Sequence, residues 1–378
     1  MKVEFCLHNI NPEDIKNAEK ALKSIFITTG KWVEEFENNL AHYVGAKYGL
    51  GLMSCTHGLE LALRAYNIGQ GDEVITTAMS FIATANAAEY VGAKPVFVDI
   101  EEDTGNIDAN QIEKTITKKT KAIIPVHLYG QMCDMKKIKK IADKYKLKVI
   151  EDAAHCIEGK RENYQVGEYA DMACYSFYAT KNITCGEGGA ITLNDENLYN
   201  WLKSARIHGM GKDAAKRYIL KKYQHQQMDF LGMKANMNNI QAALLKNQLK
   251  NIDRVLPVRE KIASIYDEAF KNESKITPIK ILPECVSARH LYVVKVPSSN
   301  RDQIIDYLQS HNIGCAVNYL PIHLMKYYRQ KYSYKEGDFK KAEKFGSEIL
   351  TLPLYPKLGK NQQEYVISQL LKIVKKCA

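Results

Sequence analysis

A chain of 378 residues is too long for one ordinary hydrophobic core and suits two unequal domains. Hydrophobic residues at 46% and charged residues at 25% are globular proportions, and no apolar run approaches the roughly 18 residues that span a bilayer. The net charge of +10 does not imply nucleic acid, because Lys and Arg alternate with Asp and Glu along most helical segments and the aromatic–basic clusters of RNA readers are missing.

One stretch, residues 211–224 with Lys212, Lys216, Arg217, Lys221 and Lys222, is strongly basic. It reads as a solvated loop, or else as an attraction for a phosphate-bearing small substrate. The nine cysteines are scattered, odd in number and without a C-x-x-C pair, which argues against a disulfide framework and against any metal site. The first six residues carry an acid early and lead into a helix signal, so no secretory leader is expected and a reducing cytoplasm is.

In chain order, Asn11-Pro12-Glu13-Asp14 reads as an N-cap, a proline at the first helical position and acids in the first turn. Val33, Phe36, Leu40, Tyr43 and Val44 share one face of a second helix that Gly45 can close. Strands are then expected over residues 48–53, 73–77, 95–99, 122–127, 147–151, 173–177 and 190–193, with helices over 56–66, 83–91 and 135–145 between them. Near-continuous apolar strands separated by helices imply an α/β fold with a mainly parallel sheet covered on both faces. Beyond residue 240 the pattern changes. A helical stretch through Ile240, Leu244, Leu245 and Leu249 leads to strands near 290–296 and 314–319 and helices near 302–310 and 337–347. The expected division is a large domain over 12–240 and a smaller α+β domain over 241–378, with the first helix free to pack on the latter.

In such sheets ligands sit beyond the carboxyl ends of the strands, and three unusual segments fall there. Ser54-Cys55-Thr56-His57-Gly58 joins a strand to a helix, where N–H groups and hydroxyls can cradle an anion. Short polar turns of this kind are also common without any ligand. Glu151-Asp152-Ala153-Ala154-His155 ends an apolar strand with two acids. Asp152 reads as a helix N-cap or as a carboxylate for a cationic ring nitrogen, with His155 one helical turn on. In the third segment, residues 173–177 run through Tyr178-Ala179-Thr180 into Lys181, followed by Cys185-Gly186-Glu187-Gly188-Gly189. A surface lysine is the ordinary reading. A desolvated lysine beside glycines that permit close backbone approach is instead a nucleophile toward carbonyls, and its place among the three segments favours that reading.

Taken together these segments resemble the DegT-type (DegT/DnrJ/StrS) sugar aminotransferases, a family of fold-type-I pyridoxal-phosphate enzymes. The similarity also takes in Thr29-Gly30-Lys31, Phe36-Glu37, Gly71-Asp72-Glu73-Val74-Ile75-Thr76-Thr77, residues 120–127 and Leu354-Tyr355-Pro356. Residues 176–189, the Arg206-Ile207-His208-Gly209-Met210-Gly211 run and Lys326-Tyr327-Tyr328-Arg329 most resemble the enzyme that forms 4-amino-4-deoxy-L-arabinose.

The resemblance implies an aspartate-aminotransferase-like seven-stranded sheet and transfer of an amino group from L-glutamate to a keto sugar, through a pyridoxamine form of the cofactor. Lys181 would be the Schiff-base lysine and proton shuttle, with Asp152 on the pyridine nitrogen. His155 would meet the phenolic oxygen and Phe81 would stack on the ring. Cys55, Thr56 and Ser176 would hold the phosphate, completed by Lys234 and Asn236 of a second chain in a homodimer. Gly30, Tyr319 and His323 would face the substrate. Cys55 stands where the family often has glycine, and Ala235 where it has an aromatic. The acceptor implied first is a nucleotide-linked 4-keto-6-deoxy sugar, serving surface glycan synthesis. A small phosphorylated ketone such as dihydroxyacetone phosphate is the second reading. A dehydratase of the family would carry histidine in place of Lys181. A non-catalytic regulator would need a DNA-reading segment that the sequence lacks.

Overall fold

The computed structural model describes residues 1–210, 225 and 227–377; the basic stretch at 211–224 lies outside them. The central sheet begins with β1 (Tyr48–Leu52), β2 (Glu73–Thr77), β3 (Lys94–Val98), β4 (Thr120–Ile124) and β5 (Lys148–Asp152). A short hairpin, β6 (Lys160–Arg161) and β7 (Tyr164–Gln165), precedes β8 (Met172–Ser176) and β9 (Gly189–Leu193). The seven long strands lie in the order β1-β9-β8-β5-β4-β2-β3. Only β9 runs against both of its neighbours; β3, β2, β4, β5 and β8 pair in parallel.

Helices cover both faces, as unbroken apolar strands require. On one face, α2 (Lys31–Tyr43) sets Val33, Phe36 and Leu40 against Ile75, Ile123 and Val149, and α5 (Met135–Tyr145) adds Ile138 and Ala142. On the other, α3 (Cys55–Ala65), α4 (Ala83–Tyr90) and α6 (Glu196–Ala205) bring Leu59, Leu63, Ala88 and Leu202 against Leu50, Ile124, Ile150 and Ile191. The Asn11 side chain and Asp14 form a reciprocal capping box on the first helix, α1 (Pro12–Leu22), which packs on the helix Asn239–Lys250.

A second sheet is built from β10 (Thr277–Pro278), β12 (Tyr292–Lys295) and β13 (Ile349–Leu352), with β12 central; β11 (Cys285–Val286) instead extends the β6–β7 hairpin. Val294, Leu350 and Leu352 pack with Tyr266, Phe270, Ile304 and Leu370 in a separate core that also takes in Val3 from the N-terminal segment. A further cluster joins the two sheets: Met79, Val126 and Tyr129 meet Val293, Ile322 and Phe345.

Two local expectations need correction. Residues 314–319 form no strand; Ala316 makes one isolated bridge to Thr351, and β13 is the strand that pairs with β12. No helix follows Asp152 either, since residues 153–159 turn irregularly. Its side chain instead caps the turn by accepting the Ala154 N–H at 3.1 Å. Among the described residues no helix is long and apolar enough to cross a membrane.

A buried ion pair ties α2 to the start of the site. Glu37 on α2 accepts from Arg206 and from the Gly51 N–H at 2.8 Å, while Arg206 donates to the Gly51 carbonyl at 2.9 Å. Both side chains are almost fully buried, so removing one strands the other's charge. Arg206→Met should therefore cost about 3–5 kcal/mol, whereas Glu37→Leu combined with Arg206→Met should cost much less. Urea unfolding midpoints of the two variants check this.

Candidate active site

The carboxyl ends of β1, β5 and β8 open into one cavity of about 530 Å³. Of the residues singled out from the sequence, Cys55, Thr56, Phe81, Asp152, His155, Ser176, Lys181 and Tyr319 line it. Ser54 and Cys55 start α3 there because β9 crosses directly beneath. A Cβ on Gly189 would lie 2.2 Å from the Ser54 carbonyl carbon, so only glycine fits. Ser54 caps the helix by accepting the His57 N–H at 3.2 Å, and its hydroxyl also meets His57 Nδ1 at 2.8 Å. The helix N-terminus beside the Thr56 and Ser176 hydroxyls suits a dianion such as a phosphate.

Asp152 is the last residue of β5 and is 5% exposed. Thr84 donates to its Oδ2 at 2.7 Å and the Ala154 N–H to its Oδ1, while the Cys55 thiol lies 3.8 Å from Oδ1. A carboxylate so held is an acceptor that can pair with a cationic ring nitrogen. Lys181 sits on the turn after β8, its N–H bonded to the Tyr178 carbonyl at 2.9 Å. Burial pulls its ammonium down from 10.5 to about 8, against the attraction of Asp152 and of the Cys55 and Cys6 thiols. Roughly a tenth of the amine is therefore neutral and nucleophilic at pH 7, far more than of an ordinary lysine.

His155 is held well below its ordinary range by burial and by Lys181, and is neutral. Its Nδ1 accepts the Tyr129 N–H at 3.3 Å, so the proton is on Nε2, which faces the Tyr319 hydroxyl at 3.2 Å. Tyr129 adopts the left-handed region at φ 59° and donates its hydroxyl to the Asn318 carbonyl. Phe81 is 54% exposed at the cavity wall, tilted against Tyr319 at 5.7 Å, and offers a free face to a flat ring. The set as a whole fits pyridoxal phosphate: a carboxylate for the ring nitrogen, a donor for the phenolic oxygen, an aromatic face, an anion cradle and an amine that sheds its proton near pH 8.

Four expected residues lie elsewhere. Gly30 caps α2, where a Cβ would meet Asn239 Nδ2 at 2.9 Å. His323 is 0% exposed; its Nε2 bonds Glu343 at 2.8 Å and its ring packs on Phe339. It is thus a core histidine rather than a substrate contact. Lys234 is exposed, and Asn236 is bonded to Thr29; neither lines this chain's cavity. The sequence reading missed Phe5 and His290, which do line it. Phe5 arrives from the N-terminal segment, which runs beside residues 313–314, and His290 stands just before β12. Neither carries a local motif.

Residues 8–371 match the family described as "DegT/DnrJ/EryC1/StrS aminotransferase family", and the chain belongs to it. It is 40% identical to the spore coat polysaccharide biosynthesis protein SpsC of Bacillus subtilis, over 98% of this chain and 97% of SpsC. It is 35% identical to the UDP-4-amino-4-deoxy-L-arabinose–oxoglutarate aminotransferase of Shewanella sediminis, over 98% and 97% of the two chains. The putative sugar aminotransferase Spr1654 of Streptococcus pneumoniae, solved in its PMP form, superposes with a TM-score of 0.95 at 31% identity over all of both chains; its PLP form gives 0.93.

The lowered Lys181 sets a pH dependence. The amine loses its proton as pH rises through about 8, so the rate at which cofactor-free protein condenses with pyridoxal phosphate should climb from pH 6 to 9 and then level off. An ordinary lysine would still be climbing at pH 10. Asp152→Asn, which removes an attraction that holds the proton on, should move the midpoint lower. Stopped-flow absorbance reads both.

Proposed function

We propose that this DegT/DnrJ/EryC1/StrS aminotransferase uses pyridoxal phosphate to move an amino group from L-glutamate onto the keto group of a nucleotide-linked sugar, for a surface polysaccharide. The observation that carries the chemistry is Lys181, a desolvated amine attracted by Asp152 in a single cavity. The sugar acceptor is supported by the similarity to SpsC, a polysaccharide biosynthesis protein, and to the Shewanella amino-sugar aminotransferase. The small phosphoketone reading has no such support, and the regulator reading gives the buried Lys181 and Asp152 no task.

The bound cofactor supplies an electron sink for the pair left behind when the donor's α-proton departs. The chain's own residues do the rest. Asp152 keeps a proton on the ring nitrogen, so the sink stays cationic. His155, with its proton on Nε2, donates toward the phenolic oxygen. The Lys181 amine, poised near pH 8, takes the α-proton as general base and returns it as general acid. Phe81 and Tyr319 close the ring face and thin the water around it.

The second chain enters through Lys234 and Asn236. Buried Asn236 Oδ1 has no hydrogen-bond partner among the described residues. The neighbouring segments expose Ile25 at 92% and Leu231 at 78%, apolar surface suited to a twin subunit. In this reading a homodimer completes each phosphate cradle.

Lys181→Ala should abolish turnover and the spectral change that L-glutamate causes in the pyridoxal-phosphate-loaded protein; substantial remaining activity would sink the assignment. Lys234→Ala should weaken cofactor binding about ten-fold, the worth of one charge-assisted contact, in a protein that sediments as a dimer. Unchanged affinity measured by equilibrium dialysis would remove Lys234 from the cradle.

A further inference from the structure

Behind Lys181 lies a group of buried polar side chains that the chemistry above leaves unused. His290, 3% exposed, reaches the main cavity. Its ring lies 4.3 Å from that of His155 at a 40° tilt. Its Nδ1 is 3.2 Å from Oδ1 of Asn182, the residue after Lys181. Asn182 Nδ2 donates to the Ala288 carbonyl at 2.8 Å and to Glu158 Oε1 at 2.9 Å.

These contacts fix where the protons are. A backbone carbonyl can only accept, so the Asn182 amide must turn its NH₂ to Ala288 and its oxygen to His290. An oxygen there demands a donor, so His290 carries its proton on Nδ1 and leaves Nε2 a bare acceptor. His155 is the reverse, since the Tyr129 N–H occupies its Nδ1 and puts the proton on Nε2. Both rings are neutral. Burial holds His290 well below its ordinary range, helped by the charges of Lys181 and Arg259. Glu158, pushed up to about 7 by burial against the pull of the Asn182 bond and Arg259, closes the group from the far side. A second cavity of about 10 Å³, near the size of one water, is lined by both histidines, Lys181, Asn182 and Glu158.

We propose that Glu158, Asn182 and His290 form a buried relay that locks His290 in the tautomer opposite to that of its tilted neighbour His155, making Asn182 and His290 positioning residues that aim the His155 Nε2–H at the cofactor's phenolic oxygen. The aiming role rests on the reading of His155 given above; the tautomer assignment does not. Without the Asn182 oxygen, His290 reverts to the Nε2-protonated form usual for histidine. The ring of His155, tilted against His290 at 4.3 Å, then loses its fixed neighbour.

Two-bond ¹⁵N–¹H correlation spectra of cofactor-free protein labelled at histidine test the lock directly. The wild type should show an Nδ1-protonated histidine whose signal is lost in His290→Phe and changes to Nε2-protonated in Asn182→Ala; His311, whose Nδ1 faces the Tyr307 carbonyl at 2.8 Å, gives a second such signal that neither variant moves. In the loaded protein, the pH midpoint of the visible band should rise by about one unit in Asn182→Ala, because a misaimed donor no longer stabilises the phenolic anion. Glu158→Gln, whose side-chain oxygen still accepts from Asn182, should keep both the tautomers and the midpoint. An Nε2-protonated or mixed His290 in the wild type overturns the lock. Correct tautomers with an unmoved midpoint in Asn182→Ala overturn the positioning role. A protein that shows the tautomers but never takes up pyridoxal phosphate overturns the cofactor reading, and the aiming role with it.

Discussion

An amine is reactive near neutral pH only if something takes water away from it, and a carboxylate beside it works in the opposite direction. Lys181 lives in that balance. Burial lowers its pKa while Asp152 raises it, and the result, about 8, leaves a proton that can leave and return. Much of the fold reads as the means of keeping those two groups in one half-dry cavity. Asp152 is fixed at the end of a central strand by the Thr84 hydroxyl and the Ala154 amide, and Lys181 by a turn at the end of the next strand.

The reversed direction of β9 matters to this arrangement. It lets the chain return from the Lys181 turn into the sheet beside β1, so that Gly189 passes under the N-terminus of α3. An anion cradle, an amine and a carboxylate are thereby brought together from three segments far apart in sequence. The Glu37–Arg206 pair grips both backbone polar groups of Gly51, next to the same strand end. It acts on the position of the cradle rather than on any ligand.

The sequence revealed the parts of the site whose chemistry is local. Asp152 follows an apolar strand, Lys181 a strand and a glycine-rich turn, and Cys55-Thr56 a strand–helix junction; each lines the cavity. The strands of the large sheet were legible for the same reason, since a strand buried on both faces is a continuous apolar run. The small sheet was harder. The residues of β13 follow a helix without any turn signal, and the 314–319 segment has strand-like composition but bridges at only one residue. His290 and Phe5 could not have been found, because their place depends on long-range packing. His323 misled because a histidine next to a family-like segment looks functional, while burial against Glu343 and Phe339 gives it a structural task.

The central claim is that the Lys181 amine, and no other lysine, bonds the cofactor. Borohydride reduction of the protein incubated with pyridoxal phosphate, followed by peptide mass mapping, tests it most directly. The account predicts one stable phosphopyridoxyl adduct on the peptide that contains Lys181. An adduct confined to another lysine, with the Lys181 peptide unmodified, would contradict it.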